Sequence, residues 1–199
     1  MKKAIVPIII IIAVIVIIGG TLASSYNGLV TMSEEVDQKW SQVENVLKRR
    51  ADLIPNLVNT VKGYASHEED VLMGVTQARS GLENASNPQE MAEANDQLTE
   101  AISRLNVVVE SYPELKADAQ FTQLMDELSG TENRIAVERK RYNEAVQKYN
   151  TKIKRFPTSI IAGMFNFEPR EYFQVSEKDK EAPVVDFESR IDFTEIASV

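Results

Sequence analysis

The amino-acid sequence predicts an all-α protein. An N-terminal transmembrane helix continues into an antiparallel four-helix bundle with long first and fourth helices, and a mostly irregular C-terminal tail follows. Three observations indicate this fold class. An unbroken apolar run extends from Ala4 to Ile18. From Val36 to Ile153, apolar residues recur at steps of three and four, which is the period of helices buried on one face. Finally, 8 Gly and 7 Pro in 199 residues are too few turn formers for a strand-rich fold.

These patterns divide the chain into three parts. We predict a transmembrane anchor over residues 1–25, a helical bundle over 26–156, and an apolar return segment with an acidic tail over 157–199.

The composition excludes several classes of function. The chain contains no Cys and one His, so disulfides, thiol chemistry and multi-His metal sites are not expected. Without Lys2 and Lys3, 20 basic residues face 30 acidic ones, which argues against nucleic acid as a partner. Phosphate-binding loops, dinucleotide fingerprints and GxSxG motifs are missing from the sequence. We therefore expect no catalytic residues, no cofactor and no metal.

The anchor is long enough to cross a bilayer. Ala4 to Ala23 is about 20 residues, which span ~30 Å of hydrocarbon at 1.5 Å per residue. A cleaved signal peptide is the rival interpretation, with Leu22-Ala23-Ser24 as a weak cleavage site. The uninterrupted helical pattern that follows favours an uncleaved anchor. Lys2 and Lys3 predict a cytoplasmic N-terminus and a bundle on the outer side of the membrane.

The first bundle helix runs to Gly63, which is expected to end it. Pro55 lies inside the apolar pattern and crowds the carbonyl of Ala51, so it predicts a kink rather than an end. The inward face of this helix is predicted to consist of Val36, Trp40, Val43, Leu47, Ile54, Leu57, Val58 and Val61.

Three further helices follow. The second is predicted over about Ser66–Glu83, with a capping box between Ser66 and Glu69. The third is predicted to be capped by Asn87, to begin at Pro88 and to be broken by Pro113. The fourth is predicted over about Lys116–Arg155, with Gly130 as a possible irregularity. The predicted inward residues are Val71, Val75, Ala78 and Leu82 in the second helix, Met91, Asn95, Leu98, Ile102, Leu105, Val109 and Tyr112 in the third, and Phe121, Leu124, Leu128, Ile135, Tyr142, Val146, Tyr149 and Ile153 in the fourth.

The unequal helix lengths predict a stalk. The outer helices reach about 60 Å and the inner two about 27–37 Å. Short turns place the extra length at the membrane end, where the bundle would thin to two helices. Two interpretations remain open for the aromatic residues on or near this stalk, which are Trp40, Tyr142, Tyr149 and Phe156. They pair within the stalk, or they mediate self-association, which is predicted because two helices cannot bury a wide apolar face.

The segment after Phe156-Pro157 is apolar and too short to span a bilayer. Three interpretations remain open for it: packing on the bundle, insertion into the membrane interface, or contact with a neighbouring subunit. The acid-rich remainder is expected to be extended or disordered, or to dock through short strand-like contacts. The candidate membrane-proximal residues are Arg155, Ile160, Ile161, Met164, Phe165 and Phe167.

The charged clusters are interpreted as surface features and not as binding or catalytic sites. His67 beside Glu68 and Glu69 is read as an exposed side chain at a helix start. Lys48-Arg49-Arg50 with Asp52 is read as a solvated face with local ion pairs. The basic residues from Arg139 to Arg155 complement the dipole at the end of the fourth helix, and they are predicted to lie near lipid headgroups. The acidic tail, with Glu177, Asp179, Glu181 and Asp186, is a competing partner for the same charges.

Several motifs resemble those of the LemA family. They are Tyr26-Asn27-Gly28-Leu29-Val30, the string from Trp40 to Val58 that includes Arg49-Arg50-Ala51-Asp52-Leu53-Ile54-Pro55-Asn56-Leu57-Val58, Glu132-Asn133-Arg134-Ile135-Ala136, Arg141-Tyr142-Asn143, Tyr149-Asn150 and Phe156-Pro157. The resemblance implies a bacterial single-pass inner-membrane protein with a helical bundle outside the cytoplasm. It also implies links to magnetosome membrane formation in a related branch and to a membrane metalloprotease in some members. It implies no catalytic residue set.

The predicted function is a non-enzymatic envelope scaffold that self-associates and organises membrane or partner proteins. The alternative is an adaptor or sensor that docks onto another membrane protein such as a protease. Membrane lipid, further copies of the chain and a membrane protein are the expected partners.

Overall fold

The computed structural model describes the backbone of residues 2–174 and the side chains of residues 9–174. This part of the chain is all-helical apart from its turns and final segment, which confirms the predicted fold class. The acidic tail predicted beyond residue 174 lies outside the described residues. The helices are α1 Lys2–Lys62, α2 Glu69–Asn84, α3 Pro88–Val109, α4 Pro113–Lys116, α5 Ala119–Lys154 and α6 Thr158–Met164.

Helix α1 joins the apolar N-terminal run to the bundle without interruption. Its 61 residues include Gly19 and Gly20, and they extend over ~90 Å. From Ile9 to Ile18 the side chains are exposed, so the rest of the described chain does not cover them. By length and composition this part of α1 is able to cross a membrane. The first fully buried side chain is Leu29, six residues after Ala23.

The bundle pairs α1 with α5, α2 with α3, and α1 with α2. Most of the predicted inward residues of α1, α3 and α5 form its core. In α2 the face is turned slightly from the prediction, because Leu72 is buried whereas Val71 is only partly buried.

Two helix starts differ from the prediction, and one agrees. The capping box at Ser66 is wrong: α2 begins at Glu69, and Glu68 precedes it without a side-chain cap. The fourth predicted helix starts too early, because a turn separates α4 from α5 and Asp118 caps α5 by accepting from the Phe121 N–H at 2.8 Å. Asn87 caps α3 as predicted, accepting from the Glu90 N–H.

Pro55 lies inside α1, which continues as a helix on both sides of it. Proline has no N–H for the carbonyl of Ala51, four residues earlier. Arg79 of α2 replaces that donor, since its Nε donates to the Ala51 carbonyl at 3.1 Å. The same guanidinium pairs with Glu83 at 2.6 Å. The predicted kink at Pro55 stays a prediction, but the carbonyl that the proline leaves without a partner is satisfied.

The predicted two-helix stalk is incomplete. Where α1 and α5 extend beyond α2 and α3, α6 packs against both of them. The residues after α6 run back along the same pair, and Phe173 is buried there. The anchor-proximal end of the bundle, meaning the end next to Tyr26, therefore has a third layer provided by the same chain.

Candidate functional site at the anchor-proximal end

The most clearly defined candidate site is a groove between α1 and α5. It holds residues 168–174, here called the docked segment. Asn150 of α5 forms two hydrogen bonds with the backbone of Arg170, one to its carbonyl and one from its N–H, both at 2.8 Å. Asn143 forms the same pair with Phe173, at 2.9 Å each. Each amide side chain thus binds one residue's backbone as a neighbouring strand would.

The spacing of the two asparagines matches the spacing of their partners. Asn143 and Asn150 are seven residues apart on α5, or ~10.5 Å along a helix. Arg170 and Phe173 are three residues apart, or ~10 Å in an extended chain. Because the two distances agree, an extended segment contacts both amides without distortion of either element.

Side chains fix the register of the docked segment. Phe173 is buried with its ring centroid 6.2 Å from that of Trp40, which also lies 5.1 Å from the ring of Tyr142. The Tyr142 hydroxyl donates to the carbonyl of Glu171 at 2.8 Å.

The basic side chain of the docked segment, Arg170, binds the opposite wall of the groove. Arg170 Nη2 donates to Ser33 at 3.1 Å and to Asp37 at 3.0 Å, both on α1. The groove therefore holds an arginine and, three residues later, an aromatic ring, both from its own chain.

The groove changes the acidity of its tyrosines. Burial raises the pKa of Tyr142 to about 12; nearby Arg170 opposes the shift, while Asp37 and Glu171 add to it. Burial also raises the pKa of Tyr149, and Arg170 again opposes the shift. Both phenols therefore stay protonated well above neutral pH and act as neutral groups.

The second feature of this end is the apolar surface of α6. Ile161 and Ala162 face the bundle and are buried. Exposed large apolar side chains occupy the outer face and the residues around it. Their exposed fractions are 82% for Phe156, 53% for Ile160, 68% for Met164 and 56% for Phe165.

Tyr26 connects this surface to the anchor. Its ring lies 4.8 Å from that of Phe165 and 5.8 Å from that of Phe167. Tyr26 follows Ala23, the end of the predicted membrane span, by three residues. The apolar surface of α6 is therefore held at the level where the anchor ends.

The structure distributes the predicted self-association residues unevenly. Tyr142 and Tyr149 are buried, and Trp40 is partly buried under the docked segment. Of the four, only Phe156 is open to solvent. Their role in self-association stays a prediction.

The predicted membrane-proximal residues also differ in their exposure to solvent. Ile160, Met164, Phe165 and Arg155 are exposed, whereas Ile161 is buried and Phe167 is partly buried. The first four lie on the surface described above, and the last two attach it to the bundle. Their contact with a membrane stays a prediction.

A buried charge was missed by the sequence interpretation. Arg50, read there as part of a solvated face, is only 3% exposed. Its Nη1 donates to Asn95 Oδ1 at 2.5 Å and pairs with Glu132, and its Nη2 donates to Thr99 at 3.0 Å. Burial lowers the pKa of Arg50, and the charges of Glu132 and Asp96 oppose that shift. The group joins α1, α3 and α5 and is structural.

The sequence contained signals for the buried arginine and for the two asparagines that bind the docked segment. Arg50 lies on the apolar face, three residues after Leu47 and four before Ile54. The dipeptide Tyr-Asn occurs at 142–143 and again at 149–150, a seven-residue repeat that places both amides on one stripe of a helix.

Among residues 9–174, no three His, Asp or Glu side chains are grouped so that they could hold a metal ion. His67 is exposed in the turn before α2.

Comparisons with known proteins agree with the sequence resemblance. The LemA family model matches residues 39–187. Magnetosome protein MamQ 1 of Paramagnetospirillum magneticum is 29% identical over 180 residues, covering 77% of this chain and 66% of that protein. Magnetosome protein MamQ of Magnetospirillum gryphiswaldense is 27% identical over 179 residues, with the same coverage. Protein LemA of Metamycoplasma hominis is 28% identical over 155 residues, covering 77% of this chain and 71% of that protein. The chain thus spans just under two thirds of the length of these MamQ relatives.

Proposed function

We propose that this chain, which belongs to the LemA family, is a non-enzymatic membrane-anchored scaffold of the bacterial envelope. In this role it self-associates and organises membrane or partner proteins. The anchor lies in the cytoplasmic membrane with its N-terminus inside, and the bundle projects from the outer face.

The observation that carries the proposal is the continuity of α1. One helix contains both the apolar run and a complete wall of the bundle core, and it does not break at Gly19 and Gly20. A helix of this kind holds the bundle at a fixed height above the bilayer. A bundle at a fixed height presents its surfaces to neighbouring membrane proteins, which suits a scaffold. A fixed height contributes nothing to the catalysis of a reaction.

The orientation is testable because the natural chain has no cysteine. Val107, near the end of α3, is 73% exposed, so a V107C variant provides a single accessible thiol on the bundle. We expect a membrane-impermeant maleimide to label it in intact spheroplasts. Labelling only after lysis would place the bundle in the cytoplasm and contradict the proposed orientation.

Self-association through Trp40, Tyr142 and Tyr149 requires the docked segment to leave its groove. The segment of a second copy has the same sequence and therefore fits the empty groove. Copies anchored in one bilayer hold groove and segment at equal heights, which raises the effective concentration of one for the other. Exchange of this kind is a low-cost route to a dimer.

Two tagged versions of the full chain test this self-association. One carries S33C in the groove and the other E171C in the segment, so a bismaleimide joining the two must connect different copies. We expect this mixed product in reconstituted membranes, with reduced yield when N143A and N150A are added to the S33C copy. A strictly monomeric mass in detergent at all concentrations, with no mixed product in membranes, would rule out self-association.

The second candidate function is an adaptor or sensor for another membrane protein. The groove favours this candidate because it binds extended backbone and recognises an arginine and an aromatic ring three residues apart. Crosslinking in native membranes separates the two candidates: products that contain only this chain would count against an adaptor.

A further inference from the structure

We infer that α6 is a membrane-surface element whose exposed apolar side chains insert into the lipid interface beside the anchor. The inference is independent of self-association, since it concerns the contact between one copy and lipid.

The first argument is the height of α6. The predicted membrane span, Ala4 to Ala23, ends three residues before Tyr26, which therefore lies ~4.5 Å further along the helix. Each interfacial layer of a bilayer is about 5–7 Å thick, so the ring of Tyr26 falls within that layer. Phe165 packs on this ring at 4.8 Å. The contact places the C-terminal end of α6 in the headgroup region.

The second argument is the two-sided character of α6. Ile161 and Ala162 attach it to α1 and α5. Ile160 and Met164, four residues apart on the helix, are more than half exposed, as are Phe156 before the helix and Phe165 after it. A short helix with one face fixed to a protein and an apolar outer face resembles the interfacial helices of monotopic proteins. Elsewhere on the described bundle, exposed large apolar residues such as Met73, Val107 and Val137 are scattered singly.

The third argument is the local charge. From residue 145 to residue 167 the chain contains no Asp or Glu, and α1 contains no charged residue from Ala4 to Ser33. The exposed basic side chains of this region are Lys148, Lys152, Lys154 and Arg155. Near an anionic surface each of these cations is attracted to the lipid headgroups. Exposed cations near the end of α5, close in sequence to the apolar residues of α6, favour anionic lipid headgroups over an apolar protein partner.

Single-cysteine spin labels test the inference directly in the full-length protein. The chain has no natural Cys, and Met164 is 68% exposed, so a label at M164C leaves the fold undisturbed. The protein is placed in vesicles of phosphatidylcholine with phosphatidylglycerol. Collision rates are then measured with oxygen, which concentrates in lipid, and with a nickel chelate, which stays in water.

Two controls set the scale. V16C labels the apolar run, where oxygen collisions should exceed nickel collisions. V107C labels the distal end of α3, where nickel collisions should dominate. We expect M164C and I160C to follow V16C in the sign of this difference.

Two results would overturn the inference. Nickel-dominated collisions at both M164C and I160C, as at V107C, would show α6 in water. Low collision rates with both reagents, together with dipolar broadening between labels, would show that a second copy covers the surface instead of lipid.

Discussion

The two ends of the bundle are held together by different kinds of interaction. In the distal part, four helices enclose a core in which Arg50 joins three of them through side chains alone. At the anchor-proximal end, two long helices are joined by α6 and by a segment whose backbone is bound by Asn143 and Asn150. The first arrangement requires the whole bundle to be folded. The second is local, because it joins residues 168–174 to side chains of α1 and α5 at this end only.

This difference separates stability from recognition. A buried charged group is strongly unfavourable unless its partners are in place, so the Arg50 group specifies one arrangement of helices. Amide side chains that bind a backbone accept many sequences, and the specificity comes from the few side chains that enter pockets. Four changes test whether the two ends respond as differently as this comparison suggests.

The largest expected effect is at Arg50. R50A leaves Asn95 buried without its donor, and it leaves Glu132 without its cation. Breaking a buried pair costs about 3–5 kcal/mol, and the Glu132 side chain is 45% exposed, so we expect the lower end of that range. Thermal unfolding should show Tm lowered by roughly 10 °C.

Exposed Arg49 is the matched control, and R49A should leave Tm nearly unchanged. R50M keeps a long side chain but removes the charge and the hydrogen bonds. If R50M is as destabilising as R50A, the loss of charge and hydrogen bonds explains the effect, and the loss of packing does not.

The next effect is at the asparagine pair. N143A or N150A removes two hydrogen bonds to the docked segment, each worth about 0.5–1.5 kcal/mol. We expect faster hydrogen exchange at the amides of Arg170 and Phe173 and a red shift of Trp40 fluorescence, with little change in Tm. N133A, at an exposed asparagine on the same helix, is the control. A global loss of stability in N143A, equal to that of R50A, would contradict the local character of this end.

A smaller effect is expected at Arg79. R79M deprives the Ala51 carbonyl of its donor, at a cost of about 1–2 kcal/mol. P55A restores a backbone N–H for the same carbonyl. Denaturant unfolding of the two single variants and the double variant should therefore show a smaller cost of R79M in the P55A background. Simple additivity would mean that the Arg79 hydrogen bond does not compensate for the proline.

The smallest effect is the alkaline response of Tyr142. Its pKa is raised to about 12 in the folded chain from 10.0, so the folded state holds the proton more tightly than the unfolded state. The resulting stabilisation is complete below pH 10 and is lost as the pH rises from about 10 to 12. Phenolate absorbance should show late titration, and Y142F should weaken the alkaline loss of stability. An unchanged slope in Y142F would assign that loss to other groups, with Tyr149 the first to examine.

Regular features were predictable because they depend on local patterns. The apolar run, the periods of α1, α3 and α5, and the Asn87 cap each follow from residues close in sequence. The capping box at Ser66 was wrong because α2 begins only at Glu69, the residue that was expected to lie one turn inside it. Glu68, just before the helix, accepts a hydrogen bond at 3.0 Å from Tyr112, a partner 44 residues away that no local pattern reveals. The early start of the fourth helix failed because the Asp118 cap was not recognised between two helical stretches.

By itself the sequence determined the long first helix, the all-α class and the family, because hydrophobic period and motif strings are properties of the chain alone. Only the tertiary structure decided which polar residues on those faces are buried and what they bind. Arg50 and Asn150 lie on apolar stripes in the sequence, but their partners are on other helices or twenty residues away. Likewise, pairing within the stalk and self-association were both open for its aromatic residues, and the structure places the docked segment of the same chain over Trp40 and Tyr142. Those pairings depend on how helices of unequal length are brought together, which no local pattern records.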